Sequence, residues 1–445
     1  MNIDYSLSDI KARNHIVVKS HVNNVLFIIF LLLILEGALR KWIFPELSKP
    51  LFFLKDIFIL YLYGYLFLKK KLPSNAWMSL AWFFAFSLYI LVGIQVLLNE
   101  VPIFVGIYGW RNYVLYIPLA FLIEDYMDMA SLKRIGKLFC YLSVPICIIA
   151  FIQYKSSTSD YINKNVGTEN FSEIFTVGNG VVRPSSTFAF TTGFVLYIGT
   201  LLIFLVYNFF LKQDKFLSKA WFIITVCTFV TCLALSGSRG AYLSCGAQIG
   251  FLILGSVFLM RSKQGFKIVF YTLFALIAFV VSFNVIFDEQ RDLILTRQAN
   301  ANSSEGSIIT RIGESIINID ALMESNLSTL GVGLGLASGG GAYLVSGVSQ
   351  FSLVETEWGR IFMEAGVVLG LGYILYRISL SFNLGLNSVR ALFASSNPTP
   401  MVSFAFVVIN LAIGQTTGNG ITYSFTWLFL GVALAINKNL IEGNE

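Results

Sequence analysis

Two arginines of the sequence are flanked by small residues, a setting that suits the binding of an anion. Arg183 opens the segment R-P-S-S-T-F, and Arg239 lies within S-G-S-R-G-A. Small neighbours let backbone N–H groups approach an anion, and the planar guanidinium can bind a phosphate group at two points. Arg111, in G-W-R-N-Y, is a third candidate. These residues predict a phosphate or diphosphate site, although arginines that only mark a membrane boundary would look the same.

Carboxylates that could act as a base lie further along the chain, in the segment E-T-E-W-G-R (355–360). Glu357 is the first candidate and Glu355 the second, because a partly buried carboxylate can take the proton of an attacking hydroxyl. Glu357 could equally form an ion pair with Arg360, three residues later. The sequence leaves both roles open.

Two further pairs of charged residues lie near the start of the chain. Glu36 and Arg40 are four residues apart, so a helix would place them on one face as an ion pair. Lys55 and Asp56 are considered as a similar pair. Pairing of this kind lowers the cost of placing charge near lipid.

Histidine, cysteine and metal chemistry are excluded from the apolar part of the chain. The two histidines, His15 and His21, lie in the polar N-terminal segment, so no histidine base or Ser-His-Asp triad can form further along. The five cysteines lie in apolar runs without CxxC spacing, and no set of metal ligands is visible. The segment G-V-G-L-G (331–335) lacks the Lys-Ser/Thr of a nucleotide-binding loop. The sequence therefore predicts a site without metal or cofactor.

The composition shows what kind of protein must position these groups. Of the 445 residues, 56% are hydrophobic and 13% are charged, about half the roughly 25% charge of soluble proteins. Twelve apolar runs approach the length of about 20 residues that a transmembrane helix needs. They cover 25–44, 52–68, 76–98, 103–123, 136–154, 186–210, 220–236, 241–260, 267–287, 359–380, 401–416 and 421–437. The predicted fold class is an all-α polytopic integral membrane protein with about 12 transmembrane helices.

The distribution of basic residues predicts the orientation of these helices. With the N-terminus in the cytoplasm, 18 of the 31 lysines and arginines fall on the cytoplasmic side, Arg377 and Arg390 among them. The net charge of +6 is therefore assigned to membrane orientation and not to nucleic acid. The predicted segments are cytoplasmic tails at 1–24 and 438–445, helices 1–9 over 25–287 with an outer loop at 155–185, a large periplasmic loop at 288–358, and helices 10–12 over 359–437.

The order of the motifs resembles the O-antigen ligase and polysaccharide polymerase superfamily. R-P-S-S-T-F, S-G-S-R-G-A between two spans, a long outer loop with Arg311 and G-V-G-L-G, and re-entry through Glu364-Ala365-Gly366 follow one another. The segments E-G-A-L-R-K-W (36–42) and W-L-F-L-G (427–431) are similar to exopolysaccharide polymerase-like members. The resemblance covers the chain from about residue 25 to residue 437.

The resemblance implies a GT-C-like glycosyltransferase in the bacterial inner membrane. It would move a glycan from an undecaprenyl-diphosphate-linked oligosaccharide donor to a glycan or lipid acceptor at the periplasmic face, without a cofactor, and a chain-length regulator would be a partner. By this resemblance Arg183, Arg239 and Arg311 would bind the diphosphate, and Arg111 is added to them from its own setting in the sequence. Outer aromatic residues, Trp110 and Trp358 first, would contact the glycan or anchor the chain at the lipid interface.

One departure from the superfamily bears on the reaction. Its ligases place a histidine before the E-x-G re-entry, whereas this chain reads V-E-T-E-W (354–358). Either a glutamate replaces the histidine or the chemistry differs, which favours a polymerase over a ligase.

A transporter is the alternative. Twelve spans with both termini inside also suit a permease or a flippase for lipid-linked sugars. Such folds usually divide into two halves of six spans with a longer connection between them. Here the connection after the sixth predicted span covers only about 211–219, which favours the transferase.

Overall fold

The computed structural model of the chain is a bundle of helices. It describes residues 7–98, 101–166, 181–211, 213–259, 266, 270, 329–346 and 356–443. Over these ranges the chain forms no β-strand, and eight helices are long and apolar enough to cross a membrane. The predicted class, an all-α multi-pass membrane protein, is confirmed, while the number of spans and their orientation stay predictions.

Fourteen helices make up the described part of the chain. In order they are α1 Leu7–Ala38, α2 Ser48–Phe52, α3 Leu54–Leu68, α4 Ala76–Leu98, α5 Ile103–Val114, α6 Ile117–Tyr126, α7 Met129–Lys155, α8 Thr191–Phe210, α9 Lys219–Leu235, α10 Arg239–Phe258, α11 Gly339–Ser346, α12 Glu357–Ser395, α13 Thr399–Ala412 and α14 Gly420–Glu442. A π-helical turn, Leu39–Ile43, and a short 3-10 turn connect α1 to α2.

Most predicted apolar runs coincide with these helices. The ninth run, 267–287, lies outside the described residues except for Phe270. One run, 103–123, is divided into α5 and α6. The agreement is good because a stretch of apolar residues of spanning length is a direct consequence of the thickness of the bilayer.

The break between α5 and α6 has a local cause. Pro118 has no N–H group, so it cannot continue the hydrogen bonding of α5. The hydroxyl of Tyr423 bridges the break, because it donates to the carbonyl of Arg111 and accepts from the N–H of Tyr116, both at 2.8 Å. These two bonds fix the end of α5, which carries Arg111.

Helix α12 folds back on itself at Gly366. This glycine has φ 76° and ψ 175°, a conformation that residues with a side chain rarely adopt. The side chain of Glu357, before the turn, contacts that of Arg377, which follows 20 residues later. A straight helix of that length would hold them about 30 Å apart. Helix α12 is therefore a short arm, 357–365, folded against a long arm, 367–395.

The fold-back corrects two sequence-based expectations. The run 359–380 is not one continuous span, because the chain reverses within it at Gly366. Arg377 does not lie in a cytoplasmic loop; it is buried in the long arm of α12, beside the end of α13. Hydropathy failed here because a hydropathy profile carries no information on chain direction.

Candidate functional site

The segment 36–42 at the end of α1 packs on the segment 183–188. Lys41 is 1% exposed, and its ammonium group donates to the hydroxyl of Ser185 at 3.0 Å and to the carbonyl of Ser186. Gly37 allows the two segments to approach, since a Cβ there would lie 2.2 Å from the backbone nitrogen of Ala189. Two motifs about 145 residues apart in the sequence thus form one structure.

A second helix holds the same turn in place. Ser186 has φ +48°, in the left-handed region that costs energy for residues other than glycine. Its N–H donates to the side-chain oxygen of Gln153 at 2.6 Å, and its hydroxyl donates to the carbonyl of Ile146 at 2.8 Å. The turn that carries Arg183 is therefore fixed by α1 and α7. Gln153 was not predicted, because its only signal in the sequence is an amide within an apolar run.

The charged residues near the start of the chain form a buried network. Glu36 accepts a hydrogen bond from Arg40 at 2.9 Å, which confirms the predicted pair, and also contacts the ammonium of Lys55. Asp56 binds Arg111 at two points, 2.7 and 3.0 Å. The prediction that Lys55 and Asp56 form a pair like Glu36 and Arg40 is thus wrong: each binds a partner on another helix.

Arg111 is held on several sides. Besides its two bonds to Asp56, it donates to the side-chain oxygen of Asn112 at 2.8 Å, so three of the five N–H donors of the guanidinium are used. Arg111 also lies over the ring of Phe52, 4.8 Å from its centroid. The side chain is 6% exposed. These contacts favour a structural role for Arg111 over the predicted diphosphate contact.

Glu357 is anchored in the same manner. One carboxylate oxygen, Oε1, accepts from Arg377 at 2.7 Å, from the hydroxyl of Thr416 at 2.7 Å and from the N–H of Thr417 at 3.0 Å. The other, Oε2, accepts from the hydroxyl of Thr417 at 3.2 Å and lies 3.7 Å from Arg360. The lone pairs that a general base would use are engaged. The geometry favours the alternative of a charge partner, with Arg377 closer than the expected Arg360.

The glycine-rich segment 331–341 packs against the fold-back of α12. The amide of Gln95 donates to the carbonyls of Leu330 and Glu364, at 2.7 and 2.8 Å, and accepts from the N–H of Leu334 at 2.9 Å. The carboxylate of Glu364 accepts from the N–H of Ala337 at 2.9 Å and from the hydroxyl of Tyr113 at 3.0 Å. The segments G-V-G-L-G and E-A-G are therefore parts of one structure. Gln95, an amide in an apolar run, was again missed.

Arg360, in the short arm of α12, contacts two other parts of the chain. Its Nε donates to the carbonyl of Ala337 at 3.1 Å. A Cβ on Gly418 would lie 1.5 Å from its terminal nitrogen, so a side chain at that position of the α13–α14 connection would displace the guanidinium. Arg360 thus joins the glycine-rich segment to the connection that also binds Glu357.

The two predicted tryptophans use their indole N–H groups within the protein. Trp110 donates to the carbonyl of Ala85 at 2.8 Å, and Trp358 donates to the carbonyl of Ala412 at 2.7 Å. Both rings remain partly exposed. The predicted contact with glycan would have to use these exposed parts of the rings.

The remaining predicted residues have different placements. Arg183 and Arg239 are both partly exposed, and Arg239 is the first residue of α10, directly after a turn in which Gly237 has φ +53°. Arg311 and Glu355 lie outside the described residues. The part of the chain that the structure describes contains no group of acidic, histidine or cysteine side chains able to hold a metal ion.

The chain matches no protein-family model, and none of the curated proteins matches it.

Proposed function

We propose that this protein is a membrane glycosyltransferase that polymerises or transfers undecaprenyl-diphosphate-linked oligosaccharide. The proposal places it in the bacterial inner membrane, with the site at the periplasmic face. It rests on the resemblance of the motif order to the O-antigen ligase and polysaccharide polymerase superfamily, and on how the motifs assemble in the structure.

One observation carries the proposal: motifs that are far apart in the sequence contact each other in pairs. Segment 36–42 packs on 183–188 through Lys41, and 331–341 packs on the E-A-G turn through Glu364. Asn112, beside Arg111, donates to the carbonyl of Thr417 in the α13–α14 connection. A chain whose motifs only marked membrane boundaries would have no need for these specific buried contacts.

The proposed reaction uses the arginines as charge stabilisers. Arg183, Arg239 and Arg311 bind the diphosphate of the donor and neutralise the negative charge that develops as the anomeric C–O bond breaks. The acceptor hydroxyl attacks the anomeric carbon and loses its proton, and the lipid diphosphate leaves. Neither a nucleotide nor a metal takes part in this scheme.

The proton acceptor is assigned from the contacts of the two candidate carboxylates. Because both oxygens of Glu357 are engaged, we assign it to the support of the short arm of α12, and Glu355 becomes the proposed base. The absence of a histidine from this region of the sequence supports a polymerase over a ligase.

A transporter for lipid-linked sugars is the second candidate. Buried ion pairs within apolar helices, here Arg377 with Glu357 and Arg111 with Asp56, also occur along the substrate pathways of transporters. The two functions differ in their product, since a transferase lengthens or moves the glycan and a transporter leaves it unchanged.

The purified protein in liposomes tests this choice. The donor is a synthetic lipid-diphosphate-linked oligosaccharide with a fluorescent label on the glycan. If the protein is a transferase, we expect longer glycans on a gel. The Arg239→Ala variant should not produce them. Unchanged donor that has only moved between the two leaflets would support the transporter instead.

A further inference from the structure

Lys41 is exceptional among the buried cations of this protein. Five basic side chains are buried among the described residues, namely Lys41, Lys55, Arg111, Arg360 and Arg377. The other four each lie within 3.7 Å of a carboxylate. Lys41 has no carboxylate within ion-pair distance in the described part of the chain, and its hydrogen-bond partners there are a hydroxyl and a carbonyl.

A buried cation without a counter-charge is unfavourable. Removing a charge from water is costly unless an opposite charge compensates it. The hydroxyl of Ser185 and the carbonyl of Ser186 occupy two of the three N–H donors of the ammonium group. Among the described residues, one N–H donor of Lys41 thus remains for another group, and no carboxylate balances its charge.

Two further buried donors lie next to Lys41. Thr187 follows the two serines that Lys41 binds; it is 5% exposed, and its hydroxyl has no hydrogen-bond partner among the described residues. The indole N–H of Trp42 is also buried without a hydrogen bond there. The ammonium of Lys41 lies 4.5 Å from the centroid of the Trp42 ring. Unsatisfied buried donors are rare in folded proteins, and here two of them lie beside an uncompensated cation.

We propose that Lys41 and Thr187 belong, with Arg183, to the site that binds the diphosphate of the lipid-linked donor. This inference rests on the proposed function and adds two residues to its site. Arg183 and Ser185 are partly exposed, and Lys41 lies beneath the turn that carries them.

The chemistry of the ligand follows from the donors at this turn. A diphosphate that links a lipid to a sugar carries two negative charges, whereas a phospholipid phosphate carries one. The diphosphate is therefore the stronger counter-charge for the ammonium of Lys41. Phosphate oxygens also provide several acceptors for the hydroxyl and N–H donors around this turn.

Ligand-induced thermal stabilisation of the purified full-length protein in detergent tests the inference without relying on turnover. The probe is a short isoprenyl-diphosphate-linked sugar. We expect Lys41→Met to weaken its binding by about tenfold or more, and Thr187→Val by about three- to tenfold, because each change removes a contact to a charged group. Thr187→Val should keep the unfolding temperature of the free protein, since the hydroxyl binds nothing among the described residues.

Lys155→Met is the matched control, because Lys155 is an exposed lysine at the end of α7, the helix that also holds the turn. It loses the same charge and should bind the probe like the wild type. Should Lys41→Met not fold, Thr187→Val still decides the question.

Three results would overturn the inference, and they differ in what else they affect. Normal binding by both variants, with loss of binding in Arg183→Ala, removes Lys41 and Thr187 from the site and leaves the proposed function intact. No binding of the probe by the wild type contradicts the proposed function as well. Equal competition by phosphatidylglycerol assigns the site to a phospholipid headgroup and contradicts the diphosphate.

Discussion

The guanidinium of Arg377 lies 2.7 Å from the carboxylate of Glu357, although the two residues are 20 positions apart within α12. This contact exists only because the chain reverses at Gly366. Arg377 also donates to the carbonyl of Leu411 at 2.8 Å, and Glu357 binds Thr416 and Thr417. The pair therefore joins both arms of α12 to the α13–α14 connection.

The first prediction concerns the stability that this pair supplies. Arg377→Met should lower the stability by about 3–5 kcal/mol, because it leaves the buried carboxylate of Glu357 without its main counter-charge. Glu357→Gln should cost less, since the amide oxygen can still accept from the threonines. Thermal unfolding of the purified variants in one detergent measures both changes.

Turnover of the same glutamate variants separates a supporting role from a catalytic one. We expect Glu357→Gln to turn over within about threefold of the wild type and Glu355→Gln to fall by about 10²–10⁴-fold, the contribution of a general base. The reverse order would return Glu357 to the role of base.

The second prediction tests the fold-back. Gly366→Ala should destabilise the protein by several kcal/mol, because its φ of 76° suits glycine and the new Cβ would lie 2.2 Å from the carbonyl oxygen of Thr329. Gly246→Ala in α10 is the control, since nothing lies within 4 Å of a Cβ at that position. It should be neutral or stabilise by about 0.5–1 kcal/mol. Equal unfolding temperatures for the two variants would show that the reversal is not required.

The sequence predicted the elements of this fold better than their arrangement. The apolar runs of α4 and α9 were found almost to the residue because bilayer thickness dictates their length. The reversal at Gly366 was not predicted, because its φ depends on contacts with residues 329–331, which are distant in the sequence. Pairing of Glu36 with Arg40 was predictable since it is local, whereas the pairing of Glu357 with Arg377 depends on the reversal.

The same distinction applies to the candidate site. Arginines with small neighbours could be listed from the sequence, but which of them are held in ion pairs could not. Arg111 looked like an anion-binding residue until Asp56, 55 positions earlier, proved to bind it at two points. Lys41 was only one residue of the segment E-G-A-L-R-K-W, and the structure shows it buried under the turn of Arg183.

The third prediction concerns the diphosphate. Arg239→Lys should lose most of the activity although it keeps its charge, because an ammonium cannot bind a phosphate with the two parallel N–H groups of a guanidinium. Arg390→Lys, an exposed arginine near the end of α12, should have normal activity. Transfer assays at equal protein levels provide the comparison, and full activity of Arg239→Lys would argue against a two-point contact.

The fourth prediction concerns orientation. Reporter domains fused after residues 170 and 330 should be active in the periplasm, and one fused after residue 214 should be active in the cytoplasm, as the distribution of lysine and arginine requires. Alkaline phosphatase and green fluorescent protein report the two sides. A cytoplasmic signal at 330 would move the glycine-rich segment, and with it the proposed site, to the wrong face.

The central claim is that this protein transfers a lipid-linked glycan, and reconstitution tests it most directly. The purified protein in liposomes is given a labelled undecaprenyl-diphosphate-linked oligosaccharide, without nucleotides and with EDTA present. We predict a ladder of longer glycans together with released undecaprenyl diphosphate, and loss of both in the Arg239→Ala variant. An intact donor with no lengthened or transferred glycan, under conditions in which the wild type binds the donor, would contradict the claim.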